Sequence, residues 1–428
     1  MDYLPRIMDK TLKEALSCIG AVIIIGPKWC GKTTTAEKQA KSVLKMQDPD
    51  HSKAYLAAAD TKPSLLLTGD KPRLIDEWQV APVLWDAVRT EVDRQNQDGL
   101  FILTGSTTID DSEIKHSGTG RISKLLMYPM SLFESRESNG KISLGKLFNR
   151  KKYTIDGIKS DLSVEQLIFS ACRGGWPASL NKKTNKAALF VVSSYFDNVC
   201  EIDVSAVDKV SREPGRVRAV LRSYARNIST LSSYQTLIKD VSANFGTISE
   251  NTLYSYLNVL NKLFVINDVH AWSPSIRSAS AIRSSNKREF IDPSIAVAAL
   301  KISPEILIQD LNTFGFIFET LCYRDLKIYS SALGGELSYY NDRHGLEIDC
   351  VLRLNDGRYA LIEFKLGSRQ IEEGAGHLLT IQSLIRKFNS TNTVKIKEPE
   401  LLIVITGGEI AYRRKDGVYI VPIGCLKD

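Results

Sequence analysis

Gly26-Pro27-Lys28-Trp29-Cys30-Gly31-Lys32-Thr33 decides how this chain is to be read, because its spacing is G-x-x-x-x-G-K-[ST] and its setting matches its letters. The apolar run 21–25 leads straight into it, and a helical segment is expected over 34–44 directly after it. Strand, glycine turn and helix start in that order describe a phosphate-binding loop. The glycines let backbone N–H groups approach the phosphates, and the first helical turn adds the positive end of its dipole. Pro27, Lys28, Trp29, Cys30 and Thr34 would line the bound nucleotide together with Gly26 and Gly31. Lys32 would reach the β and γ phosphates, and the Thr33 hydroxyl would bind Mg²⁺. The bland alternative is a glycine turn beside a stray lysine, and the agreement of strand, loop and helix argues against it.

Such a loop needs a carboxylate at the end of a neighbouring strand, and Arg73-Leu74-Ile75-Asp76-Glu77 offers one. Asp76 would hold Mg²⁺ and Glu77 would polarise the attacking water, although the apolar lead-in is short enough for an acidic loop end. Phe101-Ile102-Leu103-Thr104-Gly105-Ser106 is a third strand ending in hydroxyls, where Thr104 would either sense the γ-phosphate or cap the strand. The first 135 residues alternate short apolar runs with amphipathic stretches, which predicts an α/β fold around a parallel sheet, with strands at 21–25, 73–75, 101–104 and 124–127.

The chain has 428 residues, enough for two to four domains. Its 43% hydrophobic and 25% charged content exclude extended disorder and fibrous repeats. No apolar run approaches the roughly 20 residues that cross a bilayer, and residues 1–10 carry no secretory h-region, so no membrane partner is expected. Seven cysteines without C-x-x-C pairs argue against a disulfide framework or a zinc site and point to the cytoplasm. The net charge of +7, from 56 basic and 49 acidic residues, permits contact with nucleic acid without establishing it.

The loop, Leu74-Ile75-Asp76-Glu77-Trp78-Gln79, Leu103-Thr104-Gly105-Ser106, Gly118-Thr119-Gly120-Arg121, the run Tyr128-Pro129-Met130-Ser131-Leu132-Phe133-Glu134 and the turn Arg173-Gly174-Gly175-Trp176-Pro177 together resemble the AAA+ ATPases. More narrowly, they resemble a prokaryotic family that joins an AAA+ module to a carboxyl-terminal domain of unknown function. The resemblance implies ATP binding and hydrolysis, a helical lid after the core, and a homo-oligomer in which one subunit's arginine reaches its neighbour's ATP. Arg121 is the candidate for that arginine finger, with a structural salt bridge as its alternative.

The expected organisation is a P-loop core over 1–160, a helical lid and winged-helix-like region over 161–272, a linker and connecting helix over 273–313 with the basic residues Arg277, Arg283 and Lys287, and a C-terminal domain over 314–428. Within the second part, 234–244, the turn Phe245-Gly246-Thr247 and 249–262 read as helix-turn-helix followed by a wing-like strand. Thr247 and Glu250 have capping-box spacing. The polar face Asn251, Tyr254, Ser255, Asn258 and Lys262 carries one base, so domain packing competes with DNA reading there.

In the last part, strands are expected at 336–340, 347–354, 358–365, 401–406 and 417–421, with helices at 314–326 and 377–388. Glu319, Asp349, Glu363 and Lys365 form an ordered set: helix Glu, strand Asp, then E-x-K on the next strand. Converging carboxylates repel unless a cation lies between them, and hard oxygen ligands suit Mg²⁺ or Mn²⁺, with Lys365 stabilising developing charge. This set resembles the PD-(D/E)xK nuclease fold, with Ile348 rather than proline before Asp349. A charged strand without a site, and a nuclease-like fold retained without cleavage, stand beside active cutting. The whole reads as a Mg²⁺-dependent ATPase whose ATP cycle gates contact with DNA, RNA or another partner. The alternative is an ATP-binding switch or interaction protein whose C-terminal domain is catalytically silent.

Overall fold

The strand that feeds the phosphate loop is the fourth of five parallel strands in a computed structural model that describes residues 3–105, 117–149, 153–208, 210–273, 285–342 and 344–428. These strands are β1 (Ala21–Ile25), β2 (Ser42–Lys45), β3 (Arg73–Asp76), β4 (Phe101–Gly105) and β5 (Ile122–Leu126), in the order β2-β3-β4-β1-β5. Both faces of the sheet are covered. Ala21, Ile23, Ile75, Phe101 and Leu103 pack with Leu84, Trp85 and Val88 of helix Val83–Gln95. Val22, Ile24, Leu74 and Ile102 pack with Leu12 and Leu16 of helix Ile7–Leu16 and Ala36 of helix Lys32–Gln39. Double coverage is why the central strands read as unbroken apolar runs instead of alternating ones. The register sets Ile25 beside Gly105 and Asp76 beside Thr104, so the loop, the acidic pair and the third strand end at one edge.

Two expectations change here. The helix after the loop stops at Gln39, Ala40 turns extended, and β2 occupies residues expected to be helical up to 44. Only Leu44 of β2 is buried, so this edge strand carries almost no apolar signal. Strand β5 starts at Ile122, two residues before the expected start at 124. Ser106 lies outside the described residues.

The chain divides into two compact units, Met1–Pro129 with Lys262–Phe264, and Met130–Asn261 with Val265–Asp428. Residues 130–160, expected in the core, fall in the second unit, as do the expected linker, the C-terminal segment and the expected lid apart from Lys262–Phe264. In it, β6 (Ile142–Ser143) is followed by the helices. The sheet comprises β7 (Gly335–Asn341), β8 (Glu347–Leu354), β9 (Tyr359–Lys365), β10 (Leu401–Thr406), β11 (Tyr412–Arg413) and β12 (Tyr419–Pro422), in the order β11-β12-β10-β9-β8-β7. Finally β13 (Leu426–Lys427) pairs in parallel with β6, which ties residues 142–143 to the far end of the unit.

Helix Ile371–Thr391 covers one face of this sheet through Ile371, Ala375, Leu378 and Ile381 on Leu361, Leu402 and Val404. Helix Leu311–Ser331 lies on the other, with the Tyr323 ring 5.2 Å from that of Phe364. Both helices are longer than their expected spans.

Helices Pro214–Arg226, Tyr234–Phe245 and Glu250–Lys262 precede an antiparallel pairing of Ile266 with Phe290 and of Val269 with Lys287. Ser249, not Thr247, caps the last of these helices, its hydroxyl accepting from Thr252 N at 3.2 Å. Arg277 and Arg283 lie outside the described residues, whereas Lys287 is a paired, buried residue rather than part of an exposed linker.

Candidate functional site: the phosphate loop and a carboxylate cluster

Gly26 has φ +147°, and a Cβ there would lie 2.3 Å from the Met127 carbonyl oxygen just beyond β5, so only glycine fits. Gly31, at φ +102°, turns the chain into helix Lys32–Gln39 as its N-cap. Between them Trp29 is left-handed and half exposed, Lys28 is half-buried, and Cys30 is fully buried, its thiol directed at the Met127 carbonyl at 3.6 Å. Cys30 is a packing residue. Arg6 braces the loop, donating from Nη1 to Cys30 O at 2.8 Å and from Nη2 to Tyr128 O at 2.7 Å. Nothing in the sequence marks Arg6, since an arginine before an amphipathic helix is ordinarily a surface residue.

Lys32 is buried and donates to the loop carbonyls of Gly26 at 2.9 Å and Pro27 at 2.7 Å. Thr34 is exposed on the first helical turn. The Thr33 hydroxyl donates to Asp76 Oδ1 at 2.7 Å, and the Thr104 hydroxyl donates to the same oxygen at 2.6 Å. Asp76 is thus aimed at the loop by one strand and fixed by the next. Charge-assisted hydrogen bonds of this kind contribute about 1.5–3 kcal/mol each. Thr33 and Asp76 present adjacent hard oxygens, the donor type Mg²⁺ takes, so these residues fit the ion that accompanies ATP. Glu77 follows in a left-handed conformation, φ 53° and ψ 47°, rare for a residue with a Cβ and worth about 1–3 kcal/mol of strain. Its carboxylate accepts from Gln79 Nε2. The sequence reading placed Lys32, Thr33, Asp76, Glu77 and Thr104 in one site, and the structure brings them together there.

Arg121 stands apart. It precedes β5, and its carbonyl accepts from Ala21 N, at the edge of the sheet opposite the loop. Its guanidinium donates from Nε to Asp93 Oδ1 at 2.7 Å and from Nη1 to Thr119 O at 3.3 Å. It contributes nothing to its own chain's loop.

In the second unit Glu319, Asp349, Glu363 and Lys365 also converge, around two lysines. Lys365 Nζ is 2.9 Å from Glu363 Oε2 and 4.0 Å from Asp349 Oδ2. Lys287 Nζ is 3.3 Å from Glu319 Oε2, 3.3 Å from Glu347 Oε1 and 3.5 Å from Asp349 Oδ1. Asp349 Oδ2 also accepts from Phe364 N at 2.8 Å, and His377 Nδ1 is 3.6 Å from Glu363 Oε2. Burial lifts the Glu319 and Glu363 carboxyls, to about 8 and about 9, with the neighbouring lysines opposing the rise. Burial works against the charge of Lys287, but the carboxylates of Glu319, Asp349 and Glu347 outweigh it and hold the ammonium well above the ordinary lysine value. Nearby, Glu289 is buried with its oxygens accepting from Ser229 Oγ at 2.9 Å and Thr320 Oγ1 at 2.6 Å, and burial raises it to about 7.

Of the expected metal set, Glu319 and Asp349 face the Lys287 ammonium and Glu363 faces that of Lys365. Among the described residues no group of three or more His, Cys, Asp or Glu is arranged to hold a metal. Sequence reasoning took Asp349 and not Glu347 from Glu347-Ile348-Asp349, and left out Lys287 because it closes a basic, serine-rich stretch that reads as linker.

The five-stranded parallel sheet and its loop form a P-loop core, and residues 20–135 match the family model described as AAA domain. Residues 164–306 and 314–426 match two models described as domains of unknown function, DUF8612 and DUF4143. No curated protein matches the chain. Among solved structures, a Walker-type ATPase of Pyrococcus abyssi is 14% identical, covering 70% of this chain and 96% of its own, at a TM-score of 0.42. A signal transduction ATPase with numerous domains, carrying a tetratricopeptide repeat sensor, from Pyrococcus horikoshii is 12% identical, covering 77% of this chain and 53% of its own, at 0.24. A DNA polymerase III gamma subunit-related protein of Thermotoga maritima is 12% identical, covering 60% of this chain and 98% of its own, at 0.22. No helix among the described residues is long and apolar enough to cross a membrane.

Proposed function

We propose that the chain binds and hydrolyses ATP, and that the ATP cycle of its first unit governs how its second unit handles a partner. The observation that carries this reading is Asp76 held by the Thr33 and Thr104 hydroxyls, one residue from a strained Glu77. Lys32 would exchange the Gly26 and Pro27 carbonyls for the β and γ phosphates, an exchange of like hydrogen bonds in a buried place. Mg²⁺ entering with ATP would be held by Thr33 and Asp76 and would neutralise phosphate charge. Glu77 orients the attacking water, Gln79 holds its carboxylate until then, and Thr104 registers the γ-phosphate at the end of β4. Arg121 would act on a neighbouring copy in a homo-oligomer, leaving Asp93 to do so.

The three helices over 214–262 and the pairing of 266–269 with 287–290 support a winged-helix reading. The exposed face, however, is partly engaged: Ser255 accepts from Arg212 Nη2 at 3.0 Å, and Tyr254 packs 4.6 Å from Tyr234. A protein partner fits that face better than base reading of DNA or RNA. Seven free thiols, six of them buried, accord with a reducing cytoplasm.

The test is steady-state ATP turnover by the full chain, with and without DNA and RNA. Glu77→Gln is expected to lower kcat by about 10²–10⁴ while ATP affinity holds, the range for a positioned acid–base group. Unchanged turnover in that variant overturns the assignment of Glu77. ATP binding without turnover in the wild type leaves a switch instead of an enzyme.

A further inference from the structure

The ordered set Glu319, Asp349, Glu363 and Lys365 calls for a cation between its carboxylates, and the chain supplies one itself. Lys287 is 1% exposed, and its Nζ stands within 3.5 Å of three carboxylates on two separate elements: Glu319 on helix Leu311–Ser331, and Glu347 and Asp349 at the start of β8. A further favourable contact comes from the face of the Tyr323 ring, whose centroid lies 5.9 Å from the same ammonium, a distance at which the ring face still attracts a cation.

The lysine is also held in place by its backbone. Lys287 and Val269 exchange two hydrogen bonds of 2.9 Å, Asn286 Oδ1 lies 2.9 Å from His270 Nδ1, and the Tyr339 hydroxyl donates to Ser285 O. This pairing fixes the backbone from which the side chain reaches the cluster. Lys365 meanwhile serves the remaining carboxylate, Glu363, at 2.9 Å.

We propose that Lys287 is the resident cation of this cluster, standing where a divalent ion would otherwise bind, and that the C-terminal domain consequently takes up no Mg²⁺ or Mn²⁺ there and does not cut phosphodiesters through a metal-activated water. A divalent ion needs oxygens at about 2.0–2.6 Å and would have to enter beside a fixed positive charge. Each carboxylate already faces an ammonium of the chain, Glu319, Glu347 and Asp349 that of Lys287 and Glu363 that of Lys365. The cluster then serves as a buried ionic joint between the 285–290 segment, helix Leu311–Ser331 and the sheet.

The proposal separates cleanly from ATP hydrolysis because it is read on metal alone. Thermal melts and calorimetric titrations of the full chain with Mn²⁺, without nucleotide, compare wild type, Asp349→Asn, Lys287→Gln and Lys287→Arg. Wild type and Asp349→Asn should respond identically to Mn²⁺, and so should Lys287→Arg, which keeps the charge. Lys287→Gln should gain a saturable Mn²⁺-dependent rise in Tm of at least about 2 °C, lost again in Lys287→Gln/Asp349→Asn. Should Lys287→Gln not fold, Lys287→Gln/Glu347→Gln removes one charge of each sign and carries the same expectation. A wild-type Mn²⁺ response that Asp349→Asn abolishes overturns the proposal. So does Mn²⁺-dependent cleavage of DNA or RNA by the wild type that Lys365→Ala removes, and so does a folded Lys287→Gln with no new metal response.

Discussion

Gly26→Ala is the sharpest test of how the phosphate loop is built. At φ +147° an alanine is strained whatever space surrounds it, at a cost of about 1–3 kcal/mol. The space is also absent: the new methyl would sit 2.3 Å from the Met127 carbonyl oxygen, where real Cβ contacts stay beyond 3.0 Å. Relief requires the end of β5 to move off the loop, which breaks the 2.8 Å hydrogen bond from Met127 N to Ile25 O, worth about 1 kcal/mol. The sum is about 2–4 kcal/mol, a large part of the stability of a domain. Urea unfolding of the full chain measures it, and an ATP titration on the folded variant reads whether the displaced loop still binds. Gly120→Ala is the control, since Gly120 is at φ +77° with nothing within 4 Å of the added Cβ, and it should lose only about 1 kcal/mol. If Gly26→Ala is no less stable than Gly120→Ala and binds ATP as wild type does, the loop is not packed against Met127 and the reasoning fails.

Lys32→Ala should lose ATP affinity by more than about thirtyfold by calorimetry while the fold survives, because the lost ammonium contacts are to loop carbonyls and not to a core. Mixing Lys32→Ala with Arg121→Ala should restore part of the ATPase rate if Arg121 completes a neighbour's site. No recovery in verified mixed oligomers assigns Arg121 to its pair with Asp93 alone. Glu289 gives a pH signature: its carboxyl is raised from 4.5 to about 7, so the folded chain keeps a proton that the unfolded chain has released, and stability falls as pH rises through that window. Glu289→Gln should remove that fall, on the order of 3 kcal/mol between pH 4.5 and 8, in urea titrations, and an unchanged pH slope would contradict the burial argument.

The first unit was legible because its chemistry and its packing leave the same mark. A strand buried on both faces must be apolar throughout, and Ala21–Ile25 is, while the residues that touch phosphate follow it directly. Strand β2 escaped because an edge strand with one buried residue has nothing to repeat. Glu319, Asp349, Glu363 and Lys365 were found by order and spacing, and they do meet. What filled the space between them was not legible, since Lys287 is brought in by a pairing with Val269, and such long-range partners are not written in local periodicity. The same limit hid Arg6, whose partners lie at Cys30 and Tyr128.

The position of β1 has a consequence for how the chain comes into being. Its two neighbours, β4 and β5, lie at 101–105 and 122–126, so residues 21–25 can find no strand partner until most of the first unit has been made. During synthesis the loop at 26–33 would exist as sequence before it exists as a shape, because the carbonyl that confines Gly26 belongs to residue 127. A nascent chain halted before that point should not be rescued by ATP. One released just after it should gain protection from proteolysis when ATP is added, so that the nucleotide would act as a checkpoint on the completed fold.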